Sequence, residues 1–197
     1  MVRSGTIKTL GLLVAALSVG TFVLLLIESG PARPTVPLSL QALGENAPKA
    51  ELAFIHKTEV PLQYIKWRNV VVHDRGADGE AVPDHCHFLI GSEEKFGDGA
   101  IVRTRLWQLQ KQGRHIYVPG HSFDSESIGV CLLHDCRRGA PTRRQLGALI
   151  HLVRALQMTC QVPADRVYLH SELGGGDCPG EHFPARAFRS RLLRARR

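Results

Sequence analysis

Residues 67–73 read Trp-Arg-Asn-Val-Val-Val-His, an apolar run that closes on a histidine. A strand wetted on one face alternates apolar and polar side chains, so an unbroken valine run predicts a strand covered on both faces, as in a layered, largely parallel sheet. Four further segments carry strand character: Cys86–Ile90 (CHFLI), Ala100–Thr104 (AIVRT), Ser127–Leu133 (SIGVCLL) and Arg166–His170 (RVYLH). Between the last two lies the clearest helix. Thr142 after Pro141 is a natural cap, and Leu146, Leu149, Ile150, Val153 and Leu156 recur at spacings of three and four as far as about Gln161. Strands interspersed with helices predict an α/β protein with a mixed central sheet of about five strands flanked by helices.

Two of these strands finish in histidine, His73 and His170, and Cys178 follows eight residues later in Gly-Gly-Gly-Asp-Cys-Pro-Gly. Strand ends are where open sheets place chemistry. Two imidazoles and a thiolate make a natural zinc set, because three protein ligands leave the fourth tetrahedral position for water or a substrate oxygen. On spacing alone a plainer reading stands beside it, in which the histidines merely end strands and Cys178 is a packed thiol.

The string His73, His87-Phe-Leu-Ile, Gly97-Asp-Gly, Trp107, Gln110, Gly113, His115, Ser127-Ile-Gly-Val-Cys-Leu, Pro141-Thr, Gln145, Leu149, Val162-Pro, His170, Cys178-Pro-Gly and Phe183-Pro resembles the zinc-dependent N-acetylmuramoyl-L-alanine amidases, the group that includes peptidoglycan-recognition proteins. The resemblance covers about residues 64–184. It implies that His73, His170 and Cys178 hold Zn2+, that the partner is peptidoglycan or its muropeptides, and that the amide between N-acetylmuramic acid and L-alanine is hydrolysed. It also exposes departures. Where family members that cleave peptidoglycan carry Tyr before the His-Phe pair, this chain has Cys86, and where they carry Lys or Thr two residues before the metal cysteine, it has Gly176. Cys86 as a fourth ligand would close the coordination shell. An amidase fold that binds wall fragments without cutting them is therefore the alternative function. Between His73 and Cys86, twelve Gly- and Asp-rich residues read as a loop where the family often inserts a helix.

The remaining candidate helpers are Glu172, His115, Cys86 itself and His85. Glu172 is placed to act as a base or to orient His170, against the reading of a solvated loop carboxylate. His115 matches a histidine that the family sets near its substrate groove. Period-two alternation puts His85 and His87 on the face opposite Cys86, which makes His87 a packed strand histidine. Cys131 reads as a core thiol, and Cys136 and Cys160 allow a disulfide that we do not expect.

Farther out, Leu10–Ile27 has no charge and at helical rise spans roughly 27 Å, the depth of a bilayer core. Arg3 and Lys8 before it and Glu28 after it keep the N-terminus cytoplasmic and send the rest across. An uncleaved anchor is favoured over a secretory signal, whose apolar stretch is shorter and whose cleavage site would be disturbed by Pro31. The expected layout is an anchor over 1–29, a Pro- and Ala-rich spacer over 30–57, a zinc domain over 58–184 and an Arg-rich tail over 185–197, facing the extracytoplasmic side, or secreted if the segment is cut. Net charge is +7, yet six arginines fall after Ala185, and without them 19 bases meet 18 acids. That balance excludes a domain built to grip a phosphate backbone; no specific nucleic acid is expected, and the domain is taken as a monomer. Five cysteines are too few for a disulfide scaffold, and 44% apolar residues suffice for a packed core.

Overall fold

A computed structural model describes residues 53–75, 83–115, 123–174 and 176–194. The chain divides into Met1–Ser39 and Leu40–Arg197; the apolar segment and most of the spacer lie outside the described residues, as does most of the loop after His73. Among the described residues no helix is long and apolar enough to cross a membrane.

The expected sheet is present. Strands β1 (Asn69–Asp74), β2 (Phe88–Ile90), β3 (Ile101–Arg103), β4 (Ser127–Leu132) and β5 (Val167–Leu169) lie in the order β3-β2-β4-β1-β5. All pairings are parallel except that of β2 with the edge strand β3. Every residue of β1 and β4 is buried, which is why both read as unbroken apolar runs. Val70, Val72, Phe88, Ile90, Ile128, Val130 and Leu132 share the main core with the long helix, whereas Leu89 and Cys131 join Cys86 and Leu133 in a smaller cluster. A single helical turn, α1 (Arg105–Gln108), follows β3, and Trp107 within it is fully buried with its indole N–H donated to the Ile55 carbonyl.

The long helix α2 runs Arg143–Cys160. Its start explains the Pro-Thr-x-x-Gln motif: Thr142 Oγ1 accepts from the Gln145 N–H at 3.0 Å, and Gln145 Oε1 accepts from the Thr142 N–H at 3.2 Å, so two orphan donors of the first turn are met. Gln145 also donates Nε2 to the Gly91 carbonyl at 3.1 Å, locking the helix to the end of β2. Leu149, Leu152, Val153 and Leu156 form its buried stripe. The helix ends where Gln161 adopts a left-handed conformation, φ 56°.

Ile55, in the stretch read as spacer on composition, is buried in the core, and within the Arg-rich stretch α3 (Ala185–Ser190) forms with Phe188 and Leu192 buried among core side chains. Counting arginines hid those two apolar anchors. Phe188 has no exposed surface and meets the Phe183 ring edge-on at 5.6 Å. Phe188→Ala should therefore cost about 3–5 kcal/mol, read as a lowered urea midpoint; an unchanged midpoint would mean that the segment does not pack on the core.

Candidate metal centre

Because β1 pairs in parallel with both β4 and β5, its C-terminal end and that of β5 open on the same side of the sheet. His73 stands there on β1, and Val72 is in register with Leu169, so His170, the next residue, arrives beside it with ring centroids 4.4 Å apart. Cys178 is brought back by the turn that follows: the Ser171 N–H donates to the Cys178 carbonyl, and the Asp74 N–H donates to Cys178 Sγ at 3.4 Å. One ligand atom from each of His73, His170 and Cys178 lies within 4.8 Å of the others. His73 Nε2 and His170 Nδ1 are buried without a hydrogen-bond partner. Burial, and for His73 also the neighbouring His115, His170 and His85, holds both histidines below their ordinary pKa, so each ring is neutral at neutral pH and keeps one nitrogen lone pair to offer. Two basic, unpaired nitrogens and a thiol converging at a strand end fit a zinc ion by the chemistry of the donor set.

A residue missed by the sequence reading organises this corner. Asp74 directs Oδ2 inward to accept the N–H of Cys136 at 2.9 Å and of Gly180 at 3.1 Å, tying β1 both to the segment after β4 and to the Cys-Pro-Gly turn. A carboxylate directly after the strand-end histidine was the available signal.

The other expected helpers divide. His115 faces the site: it is 4% exposed, neither ring nitrogen has a partner, and its ring centroid lies 5.3 Å from that of His73. Gly129 in β4 makes room for it, since a Cβ there would stand 2.1 Å from His115 Cε1; this accounts for a glycine within a buried strand. Cys86 also faces the site, its sulfur grouped with ligand atoms of His73 and His115, and burial raises its thiol well above the usual range. Glu172 does not join these groups. Its Oε2 accepts the Leu169 N–H at 2.9 Å and pairs with Arg189, so the carboxylate fastens the turn after β5 to α3.

The alternation argument fails for His85, whose ring lies 5.6 Å from that of His73, on the same side as Cys86. Regular strand geometry starts only at Phe88, so period two does not reach back to residue 85. His87 is packed as expected, buried one residue ahead of β2. Its Nδ1 accepts the Gly129 N–H and its Nε2 meets the Lys111 carbonyl, both at 2.9 Å, which fixes the neutral tautomer with the proton on Nε2.

The N-acetylmuramoyl-L-alanine amidase family model matches residues 46–181. The chain belongs to this family. No curated protein matches it. Among solved structures, the amidase LysC from Clostridium intestinale URNW aligns at 20% identity and TM-score 0.51 over 70% of this chain and 93% of that one. An AmpD derivative aligns at 18% identity and TM-score 0.50 over 64% and 85%. At these identities the likeness shows the amidase fold alone.

Gly176 sits at φ 62°, and no described atom lies within 4 Å of where a Cβ would be. The five cysteines are all free thiols.

The buried groups set a pH window for the metal-free fold. Burial, its largest cause, pushes His87 to about 3, and burial raises Cys136 and Cys160 to about 12. Below the ordinary histidine value of 6.5 the unfolded chain binds a proton that folded His87 refuses; above the ordinary thiol value of 9.0 the unfolded chain releases protons that the folded thiols retain. Stability therefore falls on both sides. Urea midpoints in chelator should form a plateau between about pH 6.5 and 9, and a midpoint still rising below pH 6 would contradict the buried neutral His87.

Proposed function

We propose that this protein is a zinc-dependent amidase of bacterial peptidoglycan, carried on the extracytoplasmic side by its N-terminal apolar segment, that hydrolyses the bond between N-acetylmuramic acid and L-alanine. The convergence of His73, His170 and Cys178 at one strand end, with unpaired ring nitrogens, carries this reading. A zinc ion held there supplies a Lewis acid that polarises an amide carbonyl and activates water. The chain's own residues do the rest. His73 and His170 present lone pairs because burial keeps them neutral. His115, lowered to about 4 chiefly by burial, is a neutral imidazole at pH 7 and holds one proton to donate toward the carbonyl oxygen as negative charge develops there. Cys86, a buried neutral thiol where the family has Tyr, is a poorer donor.

The replacements Cys86 and Gly176 favour a second reading, a protein that holds wall fragments without cleaving them. One experiment separates the two. The full-length chain in mild detergent, loaded with zinc, is incubated with purified muropeptides, and free stem peptide is measured by mass spectrometry. Release that chelator stops is expected; saturable muropeptide binding with no release would replace the enzyme by the binder, and neither release nor binding would remove both.

A further inference from the structure

His73 belongs to two donor sets. Besides the group it makes with His170 and Cys178, its ligand atom lies within 4.8 Å of Cys86 Sγ and a His115 nitrogen, which lie equally near each other. This second set is the deeper one: His73, Cys86 and His115 are each at most 4% exposed, whereas His170 and Cys178 are half-buried. His73 Nε2 and both nitrogens of His115 have no hydrogen-bond partner. A buried polar group left unmet costs about 1–3 kcal/mol, and folded proteins keep few of them. The backbone is nevertheless shaped to hold the His115 ring in this place, since a Cβ on Gly113 would come within 2.4 Å of Nε2 and one on Gly129 within 2.7 Å of Nδ1. Cys86 is fixed on the same side by Leu89, Cys131 and Leu133.

We infer that His73, Cys86 and His115 form a second, inner seat for a zinc-class cation, nested against the first and sharing His73 with it. Two imidazoles and a thiolate form a borderline-soft set suited to zinc or cobalt and unsuited to magnesium or calcium. With the unpaired His73 Nε2 serving as the shared ligand atom, the sets are alternative seats of one ion. Filling the inner seat forms a metal–sulfur bond at Cys86 and releases the thiol proton to solvent. An ion there lies behind the half-exposed outer pair, shielded from a substrate carbonyl, so occupancy of the inner seat is a resting state.

Cobalt reports on this without any activity measurement. The full-length Cys178→Ser protein, kept in mild detergent, is titrated with Co2+ while cobalt-to-thiolate charge transfer is followed in the near ultraviolet. The expected result is one cobalt per chain with a thiolate band, which disappears when Cys86→Ser is added and whose apparent affinity drops about tenfold or more with His115→Gln. No thiolate band in a Cys178→Ser protein with native near-ultraviolet circular dichroism would overturn the proposal, as would a band that survives loss of Cys86. If Cys86→Ser does not fold, Cys86→Ala and the His115→Gln titration decide in its place. Failure of muropeptide cleavage leaves this readout untouched, so the two proposals fail separately.

Discussion

Replacing His73 with alanine is expected to leave a folded protein that binds no zinc and releases no stem peptide. His73 is the one residue common to both donor sets, so neither neighbouring group can compensate. The change removes a buried ring whose Nε2 is unpaired and which is crowded by His115, His170 and His85. Lost packing is thus offset in part by relief of an unmet polar group. The metal-free variant should melt within a few degrees of the metal-free parent. The difference appears on adding metal: ligand at 1,000 times its dissociation constant stabilises the parent by about 4 kcal/mol and the variant not at all. Zinc content by elemental analysis, the melting shift and peptide release should fall together. Zinc at one equivalent in the variant, or cleavage persisting in chelator, would remove His73 from the site and the metal from the reaction.

How much of this was legible follows from which interactions announce themselves locally. The valine run of β1 and the SIGVCL run of β4 declared themselves because both faces are covered, and α2 because its cap and its buried stripe are written at fixed spacings. His73 and His170 were found as strand ends, a property of order along the chain. Roles set by the third dimension were harder. Glu172 sits two residues from His170, yet its direction is decided by Arg189, which reaches it from α3. His85 was placed by a strand period that begins three residues too late to govern it. Phe188 and Leu192 were hidden by the arginines around them, because charge density says nothing of what two apolar side chains find to pack against.

Asp74→Asn should reach the site through the backbone it positions and through the charge it removes beside His170 and Cys178, since the side chain belongs to neither donor set. Its Oδ2 accepts two backbone N–H groups, from Cys136 and Gly180, in a corner where Asp74 is only 8% exposed. An amide keeps the shape and can turn its one carbonyl oxygen to both N–H groups, but that oxygen is neutral, so two charge-assisted hydrogen bonds become ordinary ones of roughly half the strength. That costs about 1–3 kcal/mol. The junction has no slack to reorganise: a Cβ on Gly180 would already stand 2.4 Å from the Arg137 nitrogen and 2.5 Å from the Cys136 carbonyl carbon. Strain at Gly180 is passed through Pro179 to Cys178, whose sulfur also accepts the Asp74 N–H. Zinc affinity is therefore expected to fall about 10- to 100-fold, as when other groups that orient metal ligands are altered, measured by competition with a chromogenic chelator. At saturating zinc the variant should recover most of its activity, which distinguishes a group that positions Cys178 from one that handles substrate. If the asparagine protein matches the parent in both urea midpoint and zinc affinity, the Cys-Pro-Gly turn is held by something other than Asp74; if activity stays low with zinc bound, the carboxylate acts on the substrate itself.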